Sequence, residues 1–331
     1  MDLDAYTAAH RDEWDRLAQL GRNGRLTGQE ADELIDRYQS GASQLSAIRS
    51  TAGESLQGER LSLHLSRARL RFTGTSANVL SRMPDFFVRQ VPAALYRIRW
   101  TSLIVTVISL LIGLVYYLWF SGEPRILATL ADEAGLEQYA KEDFVNYYSE
   151  YSGTSFTSVV WTNNAWLATQ AVAFGIIGVY TPYLVFANAA SIGQTAAIMD
   201  QYDRLDVFFL FILPHGQLEL YAIFVAGAAG MAIFWSWISP GSKTRLDALA
   251  AGGRSLIIIA VGLTLALLLS GLVEGFVTRQ PWPPAIKIGI GTLALLSFLA
   301  YQWILGGRAH RAGITGDLDE FEGGAKTLTA G

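Results

Sequence analysis

From Trp100 onward the chain alternates long uncharged stretches with short polar connections, and each stretch is long enough for a helix across a hydrocarbon core, which takes about 20 residues. Trp100 to Phe120, Trp161 to Met199, Leu256 to Val273 and Ile288 to Gly307 carry no charge, and Val207 to Ser242 carries only His215 and Glu219. Inside a bilayer a helix satisfies its backbone groups within its own segment, so these runs read as helices. The pattern predicts an all-α fold, a polytopic transmembrane helix bundle over 100–307. The run from Trp161 to Met199 is nearly twice one bilayer thickness, and Thr181-Pro182 divides it where proline disfavours an uninterrupted helix. Six passes result, at about 100–120, 161–181, 183–199, 207–238, 255–277 and 285–306, with five as the alternative.

Ahead of the bundle the periodicity is that of ordinary helices. Thr27-Gly28-Gln29-Glu30 has capping-box spacing, and Leu34, Ile35, Tyr38, Leu45 and Ile48 recur on one face before Gly53. A helical hairpin is expected within a cytoplasmic region over 1–82. Between Met83 and Arg99 aromatic and aliphatic residues alternate with arginines, which predicts an amphipathic elbow helix at the membrane interface, with Arg89, Arg97 and Arg99 on lipid phosphates. The connection 121–160 is too long for a tight turn. Leu127, Leu130, Ala134 and Tyr139 suggest a helix over the bundle, and Tyr147, Tyr148 and Tyr151 suit interfacial anchoring or contact with a partner. The tail over 308–331 reads as flexible.

Charge orients this pattern. From Arg60 to Arg99 there are eight arginines and one acid, Asp85, whereas 121–160 has seven acids against Arg125 and Lys141. Lysine and arginine favour the cytoplasmic side. The N-terminus is therefore expected inside, the 121–160 loop outside, and with six passes Lys243, Arg245, Arg254, Arg308 and Arg311 return to the inside. The acidic start, Met1-Asp2-Leu3-Asp4, is unlike a signal peptide, so the first span is expected to direct insertion.

Composition adds exclusions. Only 16% of the 331 residues are charged, 51% are hydrophobic and mean hydropathy is +0.28, against roughly 25% charged in soluble domains. The absence of cysteine removes disulfides, thiolate metal sites and cysteine nucleophiles. There is no P-loop, since Gly227 to Gly230 lies in an apolar helix, so an energised transporter would need a separate ATPase. No nucleic-acid partner is expected.

Chemistry concentrates in Leu213-Pro214-His215-Gly216-Gln217-Leu218-Glu219. His215 and Glu219 share a helix face, and Pro214 and Gly216 suit an irregular helix start with free amides beside the imidazole. Glu274, between Gly271 and Gly275, sits near the outer end of the next span and would join them in one polar cluster. Ionisable groups in a span are costly and tend to mark function. The readings open at this point are a satisfied packing network, a proton, ion or lipid-headgroup site, a zinc site, and an intramembrane hydrolase. Asn163, Asn164 and Asn188 are explained by caps or interhelical hydrogen bonds, and His10, His64 and His310 by the surface. No catalytic residue, cofactor or metal is assigned.

At these residues the sequence resembles the stage II sporulation protein M family of bacterial membrane proteins. The resemblance rests on Phe174-Gly175 with Asn188 and Gly193, on Leu213-Pro214-His215-Gly216 with Glu219, and on Glu274-Gly275-Phe276. Phe86-Phe87-Val88-Arg89-Gln90-Val91-Pro92 also resembles the family's segment before the membrane. Ala189 departs from the glycine that many members carry there, and the arginine, leucine and alanine usage resembles actinobacterial members. The resemblance implies a protein of the cytoplasmic membrane without demonstrated catalysis, whose namesake holds cell-wall-degrading enzymes. The expected function is a scaffold of the cell envelope, with membrane lipids, envelope proteins or peptidoglycan hydrolases as partners and a homodimer through glycine- and alanine-lined helix faces. The alternatives are a permease-like subunit of an export ATP-binding-cassette system and, after it, an intramembrane metal-dependent hydrolase.

Overall fold

The computed structural model describes residues 3–22, 26–53, 55–72, 83–148 and 153–317, and every regular element among them is helical. They fall into two compact units divided after Met83. Tyr151 and the ranges 73–82 and 318–331, on which parts of the sequence reading fall, lie outside the described residues.

The first unit is three helices, α1 (Leu3–Arg22), α2 (Gly28–Ala52) and α3 (Leu56–Phe72). The capping box is present: the Glu30 amide donates to Thr27 Oγ1 at 3.3 Å and the Thr27 amide to the Glu30 carboxylate at 2.8 Å. The expected hairpin is one helix short. The stripe on α2 is covered from both sides, by Trp14, Leu17 and Leu20 of α1 and by Leu61, Leu65 and Ala68 of α3, around Leu34 and Ile48. Two helices would leave half of that stripe in water. Glu33 joins α1 to α2, accepting from Arg16 at 2.7 Å and from Arg37 at 2.8 Å. These hydrogen bonds, Arg16 first, draw its carboxyl down to about 2. A carboxyl lowered on folding stabilises above its unfolded value near 4.5 and loses that contribution as pH falls towards 2. Protection of the α1–α2 amides, corrected for the intrinsic exchange rate at each pH, is expected to fall as pH drops through that window, and Glu33→Gln to show the lowered protection already at neutral pH with no further loss on acidification.

The second unit starts with a π-helical turn, Phe86–Gln90, running into α4 (Val91–Arg97). Then come α5 (Arg99–Gly122), the short helices α6 (Pro124–Leu127), α7 (Glu133–Gln138) and α8 (Phe144–Tyr147), and five longer ones. These are α9 (Gly153–Ala173), α10 (Tyr180–Gln201), α11 (Leu205–Ile238), α12 (Arg245–Val273) and α13 (Pro284–Ala300). A π-helical turn, Tyr301–Leu305, leads into α14 (Gly306–Arg311). Among the described residues four helical stretches are long and apolar enough to cross a membrane: Arg99–Gly122, Leu205–Ile238, Arg245–Thr278 and Pro284–Arg311. The chain is thus a multi-pass membrane helix bundle.

The two less apolar helices, α9 and α10, pack beside the four, α9 on α11 and α12 and α10 on α5 and α11. Thr157, near the start of α9, donates to the Gly271 carbonyl at 3.1 Å, and Ala171, near its end, accepts from Thr181 Oγ1 at 2.8 Å. The break between them is not at Thr181-Pro182. It is the 3₁₀ turn Gly175–Ile177 followed by Gly178 at φ 77°, while Pro182 sits in the first turn of α10. Proline cannot continue a helix from its interior but fits a first turn, where its missing N–H has no intrahelical acceptor to lose. It starts the second leg rather than ending the first.

The elbow helix also differs from expectation. Val91, Ala93 and Leu95 of α4 are fully buried; the Val91 side chain rests on Gly262 of α12 and the Pro92 carbonyl on Gly306 of α14. Its apolar side faces protein, because two glycines let α4 sink between those helices where larger side chains would hold it out at the interface. Arg97 donates to Ser255 Oγ at 2.9 Å and to the Thr315 carbonyl at 3.1 Å, and Arg99 lies 3.6 Å from the centre of the Tyr96 ring. Arg89 pairs with Asp85 at 3.2 Å, exposed. The first part of the tail is held as well, by two hydrogen bonds from Arg254 to the Asp317 carboxylate at 2.5 and 3.0 Å.

Glycines set the crossings. A Cβ at Gly193 would fall 2.2 Å from the Gly113 oxygen, at Gly230 2.1 Å from the Ala171 oxygen, at Gly291 2.1 Å from the Pro214 oxygen and at Gly306 2.2 Å from the Pro92 oxygen. Backbone therefore meets backbone at four places. These four glycine faces are occupied within the chain, whereas a Cβ at Gly253 or Gly289 meets nothing within 4 Å.

Candidate intramembrane polar site

Two helices bring the site together. His215 and Glu219 lie one turn apart on α11, and Glu274 opens the π-helical turn Glu274–Thr278 that ends α12. The wider turn aims both Glu274 and Thr278 at the imidazole, and such turns recur at functional positions. His215 Nε2 is 3.6 Å from Glu274 Oε1, and Nδ1 is 3.2 Å from Thr278 Oγ1. Ser270 Oγ lies 3.0 Å from the His215 carbonyl and 3.3 Å from Glu219 Oε2, and Asn164 hydrogen-bonds the same carboxyl. Donor atoms from His215, Glu219 and Glu274 all lie within 4.8 Å of one another. The expected convergence of the three is present.

The local backbone differs from expectation at Pro214 and Gly216. α11 begins at Leu205 and runs through both, so there is no irregular start and no free amide beside the imidazole. Membrane helices tolerate an internal proline where neighbours accommodate the freed groups. Pro214 leaves the Leu210 carbonyl without its amide, and around the proline Gly291 lets α13 sit against the Pro214 carbonyl while Gln217 donates to the Leu213 carbonyl at 3.0 Å.

Three neighbours, Lys287, Ser270 and Thr278, were not singled out in sequence, and a fourth, Tyr148, was expected as an interfacial anchor but is buried here. Lys287 is buried at 4% exposure, donates to the Thr278 carbonyl at 3.0 Å and lies 5.7 Å from the Phe211 ring centre. It stands just before the uncharged run that begins at Ile288, so a search for charge inside that run passes it by; a lone lysine after Pro283-Pro284 is the signal that was available. Ser270 and Thr278 are too common in helices to stand out. Tyr148, from the connection before α9, brings its ring within 6.1 Å of the His215 ring and is 4% exposed. Burial, then the charges of Glu274 and Glu219, hold its phenol above the usual range, so it stays a neutral hydroxyl. On its other side Tyr148 lines an open cavity of about 850 Å³ with Tyr139, Asp143, Phe144, Asn146 and Tyr147.

The remaining candidates lie elsewhere. Asn188 has a buried Oδ1 with no hydrogen-bond partner but no described bond to the three. Gly193 seats α10 on α5, and Arg97 and Arg99 belong to the opposite end of the bundle. His10 pairs with Glu13, and His310 stacks near Tyr96.

A family model described as stage II sporulation protein M matches residues 102–279, more than half of the chain, including His215, Glu219, Ser270, Glu274 and Thr278. The chain belongs to the stage II sporulation protein M family. A second family model, described as a domain of unknown function (DUF8413), matches residues 4–74, the three-helix unit. No curated protein and no solved structure matches. In this stage II sporulation protein M family member Lys287 lies beyond the matched range, and so do α13 and α14.

Proposed function

We propose that this family member is a non-enzymatic scaffold of the bacterial cytoplasmic membrane, six passes with the N-terminus and the three-helix unit inside, holding envelope proteins such as peptidoglycan-degrading enzymes at its outer face. The observation that carries the reading is the backbone-on-backbone crossing at Gly193, Gly230, Gly291 and Gly306. Helices seated on one another's carbonyls cannot slide without opening voids, which suits a fixed platform and disfavours a permease that must alternate. α5 and the stretch Pro284–Arg311 are little covered by protein, with 17% and 11% of their most apolar windows buried, which leaves them to lipid. The outer-face segment carries α6 to α8, and Leu127, Leu136 and Phe144 clip it to the bundle. It offers partners a fixed surface. In a crosslinking pull-down from membranes, charge reversals at exposed positions of 123–147 are expected to lower partner recovery at least tenfold, while His215→Ala leaves it within twofold. The reverse pattern would reject the scaffold reading.

A further inference from the structure

We propose that His215, Glu219 and Glu274 form a binding site for one zinc-class divalent cation, which ties the middle of α11 to the end of α12. The inference is independent of the scaffold reading.

Four observations lead to it. First, the donor atoms are close. Tetrahedral coordination at roughly 2.0–2.2 Å sets donors about 3.3–3.5 Å apart, and His215 Nε2 already stands 3.6 Å from Glu274 Oε1. The whole set falls within 4.8 Å, a side-chain adjustment of at most about 1.5 Å from that geometry. Second, the imidazole is turned for coordination. With the Thr278 hydroxyl donating to the Val273 carbonyl at 3.4 Å, it accepts from Nδ1–H of His215 at 3.2 Å, and in that tautomer Nε2 presents a bare lone pair to a carboxylate. Two acceptors facing each other need something positive between them.

Third, Glu274 Oε2 is buried with no hydrogen-bond partner, on a side chain only 4% exposed. An orphaned carboxylate oxygen inside a helical bundle is costly, and a cation removes that cost. Fourth, the charge balances: two carboxylates and one neutral imidazole take up a dication with no residual charge. The described hydrogen bond of Lys287 goes to the Thr278 carbonyl instead. One nitrogen and two carboxylate donors fit zinc, whereas magnesium and calcium take six or more oxygens. Three protein donors leave a fourth position for water.

The test uses the full chain in lipid nanodiscs, stripped with a chelator, re-equilibrated with zinc chloride, passed through a desalting column and analysed for metal. About one zinc per chain is expected, with at least a tenfold reduction in Glu274→Gln and His215→Ala and full retention in Ser297→Ala, an exposed position away from the cluster. Glu274→Gln is nearly isosteric, so it keeps the comparison valid if His215→Ala does not fold. Cobalt added to the stripped wild-type chain is expected to give the visible bands of a tetrahedral centre, a readout that needs no variant. Zinc content equal in wild type and Glu274→Gln, or no cobalt spectrum from well-folded wild type, would overturn the proposal and leave two shared protons as what neutralises the cluster. Retention of magnesium or calcium in place of zinc would overturn the assigned class.

Discussion

Gly230→Leu is expected to abolish accumulation of folded protein. A Cβ there meets the Ala171 carbonyl oxygen at 2.1 Å and Thr181 Oγ1 at 3.0 Å, and neither can yield as a long side chain would. Ala171 and Thr181 are already bonded to each other at 2.8 Å, so pushing them away breaks the hydrogen bond that joins α9 to α10. Overpacking of a core costs about 1–3 kcal/mol for side chains that can shift, and a displaced helix pair with an opened hydrogen bond should exceed it. Gly230→Ala should be impaired less severely, and leucine at Gly253, where a Cβ meets nothing within 4 Å, should be tolerated. Fluorescence-detected size exclusion of the three variants in detergent gives the ranking. Equal monodisperse yields for Gly230→Leu and wild type would mean that this crossing is not as tight as described.

Gln302→Leu is expected to be the most damaging change of a polar side chain away from the candidate site. Gln302 is fully buried, accepts from the Tyr221 hydroxyl at 2.5 Å and donates to the Leu95 carbonyl at 3.1 Å, so one side chain joins α11, α4 and the last span. Leucine fills a similar volume but removes the acceptor for the Tyr221 hydroxyl proton and the side-chain donor to the Leu95 carbonyl, while Trp303 still bonds the Tyr221 hydroxyl; a buried group left short of a partner costs about 1–3 kcal/mol. Thermal unfolding in detergent should shift down by several degrees. Adding Tyr221→Phe should recover part of the loss, since it removes one of the two groups left short of a partner; a double variant as unstable as the sum of the singles would argue against the shared bond.

The sequence was most legible where one physical constraint acts alone. Uncharged runs of bilayer length located the spans, because a lipid-facing backbone has few alternatives to a helix. The capping box at Thr27 was legible for the same reason, being a local bond between residues three apart. His215, Glu219 and Glu274 could be picked out because charge is rare in such runs, and their convergence followed from placing α11 and α12 as neighbours. Legibility failed where a tertiary contact decided. Pro182 reads equally as a stop or a start, and only Gly178, with its positive φ, fixes the turn ahead of it. The stretch Val91 to Leu95 has the composition of an interfacial helix, and what buries it is a pair of glycines more than 150 positions away in sequence, at Gly262 and Gly306. Lys287 was missed because a boundary drawn by charge excludes the charge that defines it.

The bond from Arg97 to Thr315 joins the stretch before the first span to a residue 218 positions on, and Arg254 at the start of α12 holds Asp317 of the same segment. During synthesis that clasp lacks its second half until every span has been translated. Until then α4 lacks Gly306 and the last helical turns against which it is buried. The order of translation thus leaves one end of the bundle open until the segment 306–317 emerges, and α4 waits for residues that follow the last span before it is seated.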